Sequence, residues 1–121
     1  MIIGVGTDIV EINRMERICS GHYRLERIFH VREMMLVADD YSKAAGNFAV
    51  KEAVAKVFGT GFVGFEPNEI EVGRDSFGKP YVRLHGKAKE MAEELGIDKI
   101  HVSISNTKTE AVAFAIGERE I

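Results

Sequence analysis

The chain has 121 residues and a mass of 13.5 kDa, the length of one domain with room for a single core. Its 45% hydrophobic and 29% charged residues exclude a disordered tail, a collagen-like polymer and a charge-only scaffold. A net charge of −3 carries no overall signature of nucleic-acid binding.

In chain order, residues 2–12 read as a strand. Ile3, Val5, Ile9 and Val10 are β-branched, and Gly4 and Gly6 mark a bend or a close backbone approach. Asn13 with Glu16 fits a capping box, which places a helix start there. Over residues 13–32 five arginines (14, 17, 24, 27 and 32) stand against two glutamates. Such a basic island in an acidic chain can steer an acidic partner, although a solvated helix face would look the same. A second short helical stretch is expected over 23–38 from the spacing of Leu25, Ile28 and Phe29. The longest helix is expected over 43–58, with Phe48, Val54, Ala55 and Phe58 as its core stripe and Gly59 as its stop. A strand follows near 69–73, then a turn at 75–78, a strand at 80–84 and a helix over 86–95 that Gly96 closes. The C-terminus reads as a hairpin turning at 106–109. Val102 and Ile104 alternate with His101, Ser103 and Ser105, and Val112, Phe114 and Ile116 alternate with alanines. The pattern is α+β: a mostly antiparallel sheet, one long central helix and shorter helices, in a single domain over 1–121.

No apolar run approaches the roughly 18 residues needed to span a bilayer, and no basic segment precedes the apolar start MIIGVGTDIV. The single cysteine, Cys19, excludes an internal disulfide and a multi-cysteine zinc site. The expected address is the cytoplasm, without membrane attachment.

Several residues carry chemical potential. Asp8 follows Gly6 and Thr7 inside an apolar strand, where an acid is costly to bury alone. It is either a solvated turn residue or a metal ligand. Glu52 and Lys56 are four apart and stack on one helix face, with Lys51 about 100° round. An ordinary surface ion pair has the same spacing. The following Gly59, Thr60 and Gly61 can bring backbone N–H groups to a phosphate, or simply stop the helix. The hydroxyls and amide of Ser103, Ser105, Asn106 and Thr107 offer donors at a strand end. The four histidines have no metal-ligand spacing, and His101 reads as a half-buried strand histidine. No nucleophile triad or Walker-type loop is present.

Four segments together resemble a known family. They are Gly4-Val-Gly-Thr-Asp8-Ile-Val-Glu11, Ala45-Gly-Asn-Phe-Ala-Val-Lys51-Glu52-Ala-Val-Ala-Lys56-Val-Phe-Gly-Thr-Gly61, Gly78-Lys-Pro-Tyr-Val82, and His101-Val-Ser-Ile-Ser-Asn-Thr-Lys-Thr-Glu-Ala111. In this order they are similar to the holo-acyl-carrier-protein synthases, the short, single-domain 4′-phosphopantetheinyl transferases. The resemblance implies that fold, and transfer of the 4′-phosphopantetheine arm of coenzyme A to a serine of an acyl carrier protein in fatty acid biosynthesis. Adenosine 3′,5′-bisphosphate would leave. It implies Mg²⁺ held by Asp8 and Glu52, with Lys56 beside the pyrophosphate. Glu52 or a water on the metal would take the serine proton. Coenzyme A contacts are implied for Lys43, Lys51, Lys56, Gly59, Thr60, Gly61, Lys79, Pro80, Asn106 and Thr107. Carrier-protein contacts are implied for Arg14, Ile18, Arg24 and Leu25. Many members are trimers with an active site at each subunit interface, so a homotrimer is expected.

The chain departs from the family at three places. Asn106 stands where the hairpin usually has histidine, and Asn47 stands where arginine is usual. The stretch between Glu33 and the long helix keeps only Lys43 of a basic cluster that often meets the nucleotide's 3′-phosphate. Weaker coenzyme A binding, or different phosphate contacts, would follow. A non-catalytic or weakened coenzyme A- and carrier-binding module of the same fold is the alternative. Retention of Asp8, Glu52 and Lys56 favours the enzyme.

Overall fold

A computed structural model describes residues 1–21 and 24–120. Strand β1 (Ile2–Glu11) runs into helix α1 (Ile12–Ser20). Two 3₁₀ turns (Leu25–Arg27 and Val31–Glu33) and helix α2 (Met34–Val37) lead to the long helix α3 (Tyr41–Phe58). A third 3₁₀ turn (Pro67–Glu69) precedes β2 (Ile70–Arg74), β3 (Pro80–Leu84), α4 (Gly86–Leu95), β4 (Lys99–Asn106) and β5 (Glu110–Glu118). All pairing is antiparallel, in one sheet of order β1-β5-β4 and a second of β2-β3. The mixed α and antiparallel β composition agrees with the sequence.

Helix α3 is the centre. Asp40 caps its start, accepting from the Lys43 amide at 3.0 Å, and Gly59 ends it in the left-handed region at φ 81°. The expected apolar stripe is too narrow, for 13 of the 18 residues are buried. β1 and β5 cover one side of the helix, α1 a second and β2 a third. The sheet can lie this close because its inward positions are small. A Cβ on Gly4 would meet the Val57 carbonyl oxygen at 2.6 Å, and one on Gly6 would overlap the Ala53 carbonyl. From β5, Ala111, Ala113 and Ala115 are fully buried against the helix. The alternation of β5 therefore points its alanines inward and its large residues outward.

Two local expectations are corrected. No capping box forms at Asn13. Helix α1 starts at Ile12 with Glu11 as N-cap, and the Ile12 amide donates to the Thr109 carbonyl at 2.9 Å. β1 stays paired with β5 up to Glu11, opposite Glu110, so the neighbouring hairpin supplies the acceptor that a side chain would otherwise provide. The expected helix over 23–38 is three short turns; its first residue and His22 lie outside the described residues. His30 and Glu33 form a capping box that restarts the chain at Val31. The Glu33 carboxylate accepts from the His30 amide at 2.9 Å, and His30 Nδ1 accepts from the Arg32 amide at 3.1 Å.

A buried polar knot ties this segment to α3 and β2. The Lys51 ammonium donates to Glu33 Oε1 and to the carbonyls of Pro67 and Ile70, and both charged side chains are wholly buried. Burial pulls the Lys51 pKa down, and the Glu33 charge and hydrogen bond oppose that pull. Asn47 Nδ2 donates to Glu33 Oε2 at 2.9 Å and to the Val72 carbonyl at 3.2 Å, leaving Asn47 Oδ1 a buried acceptor without a partner. Removing one ion of such a pair strands the other. Lys51→Met should therefore destabilise the fold by about 3–5 kcal/mol in urea denaturation. Adding Glu33→Gln should restore more than half of that loss, whereas additive losses would show that the two ions are not coupled.

Candidate active site

The close packing of β1 on α3 brings Asp8 to the helix face that carries Glu52 and Lys56. Asp8 stands opposite Ala113 in the sheet and is only partly exposed. Lys56 Nζ donates to the Asp8 carboxylate at 3.3 Å and to the Thr7 carbonyl at 2.8 Å. Glu52, one turn earlier, has its pKa raised, first by burial and then by the negative charge of Asp8, and the hydrogen bond that protonated Glu52 donates to Asp8 adds to the effect. Arg14 and Lys56 pull the other way. Arg14 reaches this point from α1, its guanidinium 5.4 Å from the centre of the Phe48 ring. The Thr7 carbonyl and the nearness of Arg14 to Glu52 were invisible in the linear sequence. Both depend on the chain reversing at Glu11.

The repulsion between the two carboxylates is only partly offset by Arg14 and Lys56. Glu52 answers by holding its proton more tightly. An all-oxygen pair of this kind fits a hard divalent cation that keeps waters and accepts further oxygen ligands from a substrate.

The other residues singled out fall in three places. Gly59, Thr60 and Gly61 lie at the C-terminal end of α3, where Gly61 is also left-handed at φ 67° and the Thr60 hydroxyl donates to the Gly61 carbonyl at 3.1 Å. Lys43, Asn106 and Thr107 lie at the other end. Asn106 Nδ2 donates to Ser42 Oγ at 3.1 Å, and the Thr107 hydroxyl accepts from the Glu110 amide at 3.0 Å. Lys79 and Pro80 belong to that end too. β2 runs from Ile70, beside Lys51, to Arg74, beside Gly46, so its turn lies beyond the first turns of α3. From Lys43 to Gly59 is about 24 Å along the helix, so one chain does not gather these groups. Lys51 sits with neither group. All three of its donors are spent on buried acceptors, which corrects its expected contact with coenzyme A. Arg14 and Arg24 are exposed, and Ile18 and Leu25 are partly buried against the core.

The histidines differ from expectation. His101 is exposed and pairs with Glu118 Oε1 at 2.8 Å. His30 and His85 converge with Glu71, so that one ligand atom from each lies within 4.8 Å of the others. No spacing in the sequence could show this, because the three residues stand on separate elements.

Comparison with known proteins identifies the family. The family model for the 4′-phosphopantetheinyl transferase superfamily matches residues 4–115. A holo-[acyl-carrier-protein] synthase of Lachnoclostridium phytofermentans is 53% identical over 118 residues, covering 98% of this chain and 97% of the relative. The Plasmodium yoelii acyl carrier protein synthase, solved with ADP bound, superposes with a TM-score of 0.90 at 34% identity, covering 100% of this chain and 98% of that one. The Helicobacter pylori holo-[acyl-carrier-protein] synthase, solved with coenzyme A, gives a TM-score of 0.83 at 30% identity over 94% of this chain and 99% of that one. The chain belongs to the 4′-phosphopantetheinyl transferase superfamily, among its holo-[acyl-carrier-protein] synthases. It is accordingly an enzyme.

The like-charge contact has a measurable cost. Glu52→Gln keeps the side-chain shape and removes the repulsion from Asp8. Without divalent cations it should raise the thermal midpoint by a few degrees, while phosphopantetheine transfer is lost. A lowered midpoint would mean that the Glu52 charge is held by partners rather than opposed by Asp8.

Proposed function

We propose that this chain moves the 4′-phosphopantetheine arm of coenzyme A onto a serine of an acyl carrier protein, as part of fatty acid biosynthesis in the cytoplasm. The convergence of Asp8, Glu52 and Lys56 carries the reading. The serine oxygen forms a bond to the β-phosphorus of coenzyme A, the one that bears the pantetheine arm. The bond from that phosphorus to the bridging pyrophosphate oxygen breaks, and adenosine 3′,5′-bisphosphate departs with the electron pair. Asp8 and Glu52 would hold Mg²⁺, which when bound supplies positive charge to the pyrophosphate oxygens. Glu52, or a water on the ion, takes the serine proton. Lys56, held by the Thr7 carbonyl and Asp8, turns its ammonium to the charge that grows on the leaving phosphate. Arg14 and Arg24, with Ile18 and Leu25, receive the acidic carrier beside this centre.

The site is completed between copies of the chain. The proposed coenzyme A contacts stand at opposite ends of α3, which favours one copy supplying Gly59, Thr60 and Gly61 and the next supplying Lys43, Lys79, Asn106 and Thr107. The outward face of the β1-β5-β4 sheet supports association. It presents Val5 (55% exposed), Ile9 (56%), Val112 (37%) and Phe114 (44%) in adjacent register. Such a patch is larger than scattered surface apolar residues explain, and in this family it fits a homotrimer.

Two measurements test these readings. With apo carrier protein, coenzyme A and Mg²⁺, the carrier should gain the mass of phosphopantetheine, and Lys56→Ala should lower kcat more than it raises KM for coenzyme A. A change confined to KM would leave Lys56 only a binding role. Phe114→Glu should shift the protein to a monomer in sedimentation and reduce transfer at least tenfold, although Phe114 is not in the metal site. An active monomer would overturn the shared site.

A further inference from the structure

On the β2 side of α3 lies a cluster that the transfer chemistry does not use. His30 caps the turn Val31–Glu33, Glu71 lies in β2 and His85 is the N-cap of α4. The Glu71 carboxylate is almost wholly buried, yet its Oε1 stands 2.9 Å from His85 Nε2, 3.9 Å from His30 Nδ1 and 3.3 Å from Arg32 Nη1. The imidazoles are stacked, with centroids 4.4 Å apart and planes 19° from parallel. Each ring has a nitrogen within 4 Å of the same carboxylate oxygen, although His30 Nδ1 accepts from the Arg32 amide.

We propose that His30, Glu71 and His85 form a Zn²⁺ site, separate from the Asp8–Glu52 pair. Two imidazole nitrogens and one carboxylate make a donor set suited to a borderline ion, whereas Mg²⁺ takes oxygen. Bonds of about 2.0–2.1 Å in a tetrahedron place ligand atoms about 3.3 Å apart, a value bracketed by the 2.9 Å from His85 Nε2 and the 3.9 Å from His30 Nδ1 to Glu71 Oε1. The fourth position opens to water in a cleft of about 420 Å³ bordered by Phe29, Val31 and Met34. Binding exchanges existing contacts for metal bonds. His85 moves its proton to Nδ1 to free the Nε2 lone pair, His30 Nδ1 gives up the Arg32 amide, and the rings splay from their stack. The Arg32 side chain, 61% exposed, swings into solvent, because its charge is repelled by a dication on the same carboxylate and its ion pair with Glu71, exposed at the Arg32 end, is weak. The ion would clamp together the turn Val31–Glu33, β2 and the start of α4.

The test uses the full chain stripped with EDTA and titrated with Zn²⁺ alone. One equivalent should bind that excess Mg²⁺ does not displace, and with Mg²⁺ already saturating the thermal midpoint should rise by about a further 5 °C. Co²⁺ should develop the visible absorption of a nitrogen-ligated centre. His85→Asn and His30→Gln should each weaken binding at least tenfold, and Arg32→Ala should tighten it severalfold by removing the competing cation. That tightening is not expected of a cluster whose role is only to hydrogen-bond. Asp8→Ala should bind Zn²⁺ as the parent does, so the outcome is independent of the transfer reaction. Absence of saturable uptake below about 1 mM would overturn the proposal, as would uptake that survives both histidine substitutions or is lost in Asp8→Ala. Should a histidine variant lose its circular dichroism signature, the Arg32→Ala comparison decides alone: unchanged or weaker binding overturns the site.

Discussion

The structure depends on how closely α3 can lie against the β1-β5-β4 sheet. Gly4 and Gly6 in β1, and Ala111, Ala113 and Ala115 in β5, remove the side-chain bulk that would hold helix and sheet apart. At Gly6 the backbone approach leaves no space for even one methyl group. Asp8 lies two residues further along the same strand, so the contact that seats the helix also sets the distance from Asp8 to Glu52 and Lys56. Packing and chemistry share one constraint.

The same economy has an electrostatic cost. Burial and the Asp8 carboxylate on the neighbouring strand raise the proton affinity of Glu52, and among the described residues Arg14 and Lys56 offset them. Under the proposed function, that cost is a local instability retained for binding a cation. On the other side of α3 the opposite solution holds. Lys51 and Glu33 are buried together and nearly every polar atom around them is used, with Asn47 Oδ1 the exception. Neighbours in sequence, Lys51 and Glu52 point to these two environments because successive helical positions lie about 100° apart.

Much of the fold was legible in the residues. Gly59 closes α3, Gly96 closes α4, and the strands of the second sheet flank a turn over 75–78, each through local backbone preferences, whereas the Asp40 cap starts α3 at Tyr41, two residues before the expected Lys43. The helix expected over 23–38 was not, because the His30–Glu33 capping box outweighs the apolar spacing of Leu25, Ile28 and Phe29. Nor was the cap of α1, which comes from a carbonyl almost 100 residues away at Thr109.

What the sequence by itself determined was the family, most of the element order and the common helix face of Glu52 and Lys56, since motif spacing and helical periodicity are local properties. The tertiary structure alone decided which charged side chains were spent and which were free. Lys51 looks in sequence as available as Lys56, yet burial against Glu33 and two carbonyls removes it from the site. The hairpin alternation likewise allowed either face of β5 to be the core. The alanines won because only they fit under α3, and Val112 and Phe114 were left outside. The meeting of His30, Glu71 and His85 followed the same logic: contacts between distant segments are fixed by packing, which no linear spacing encodes.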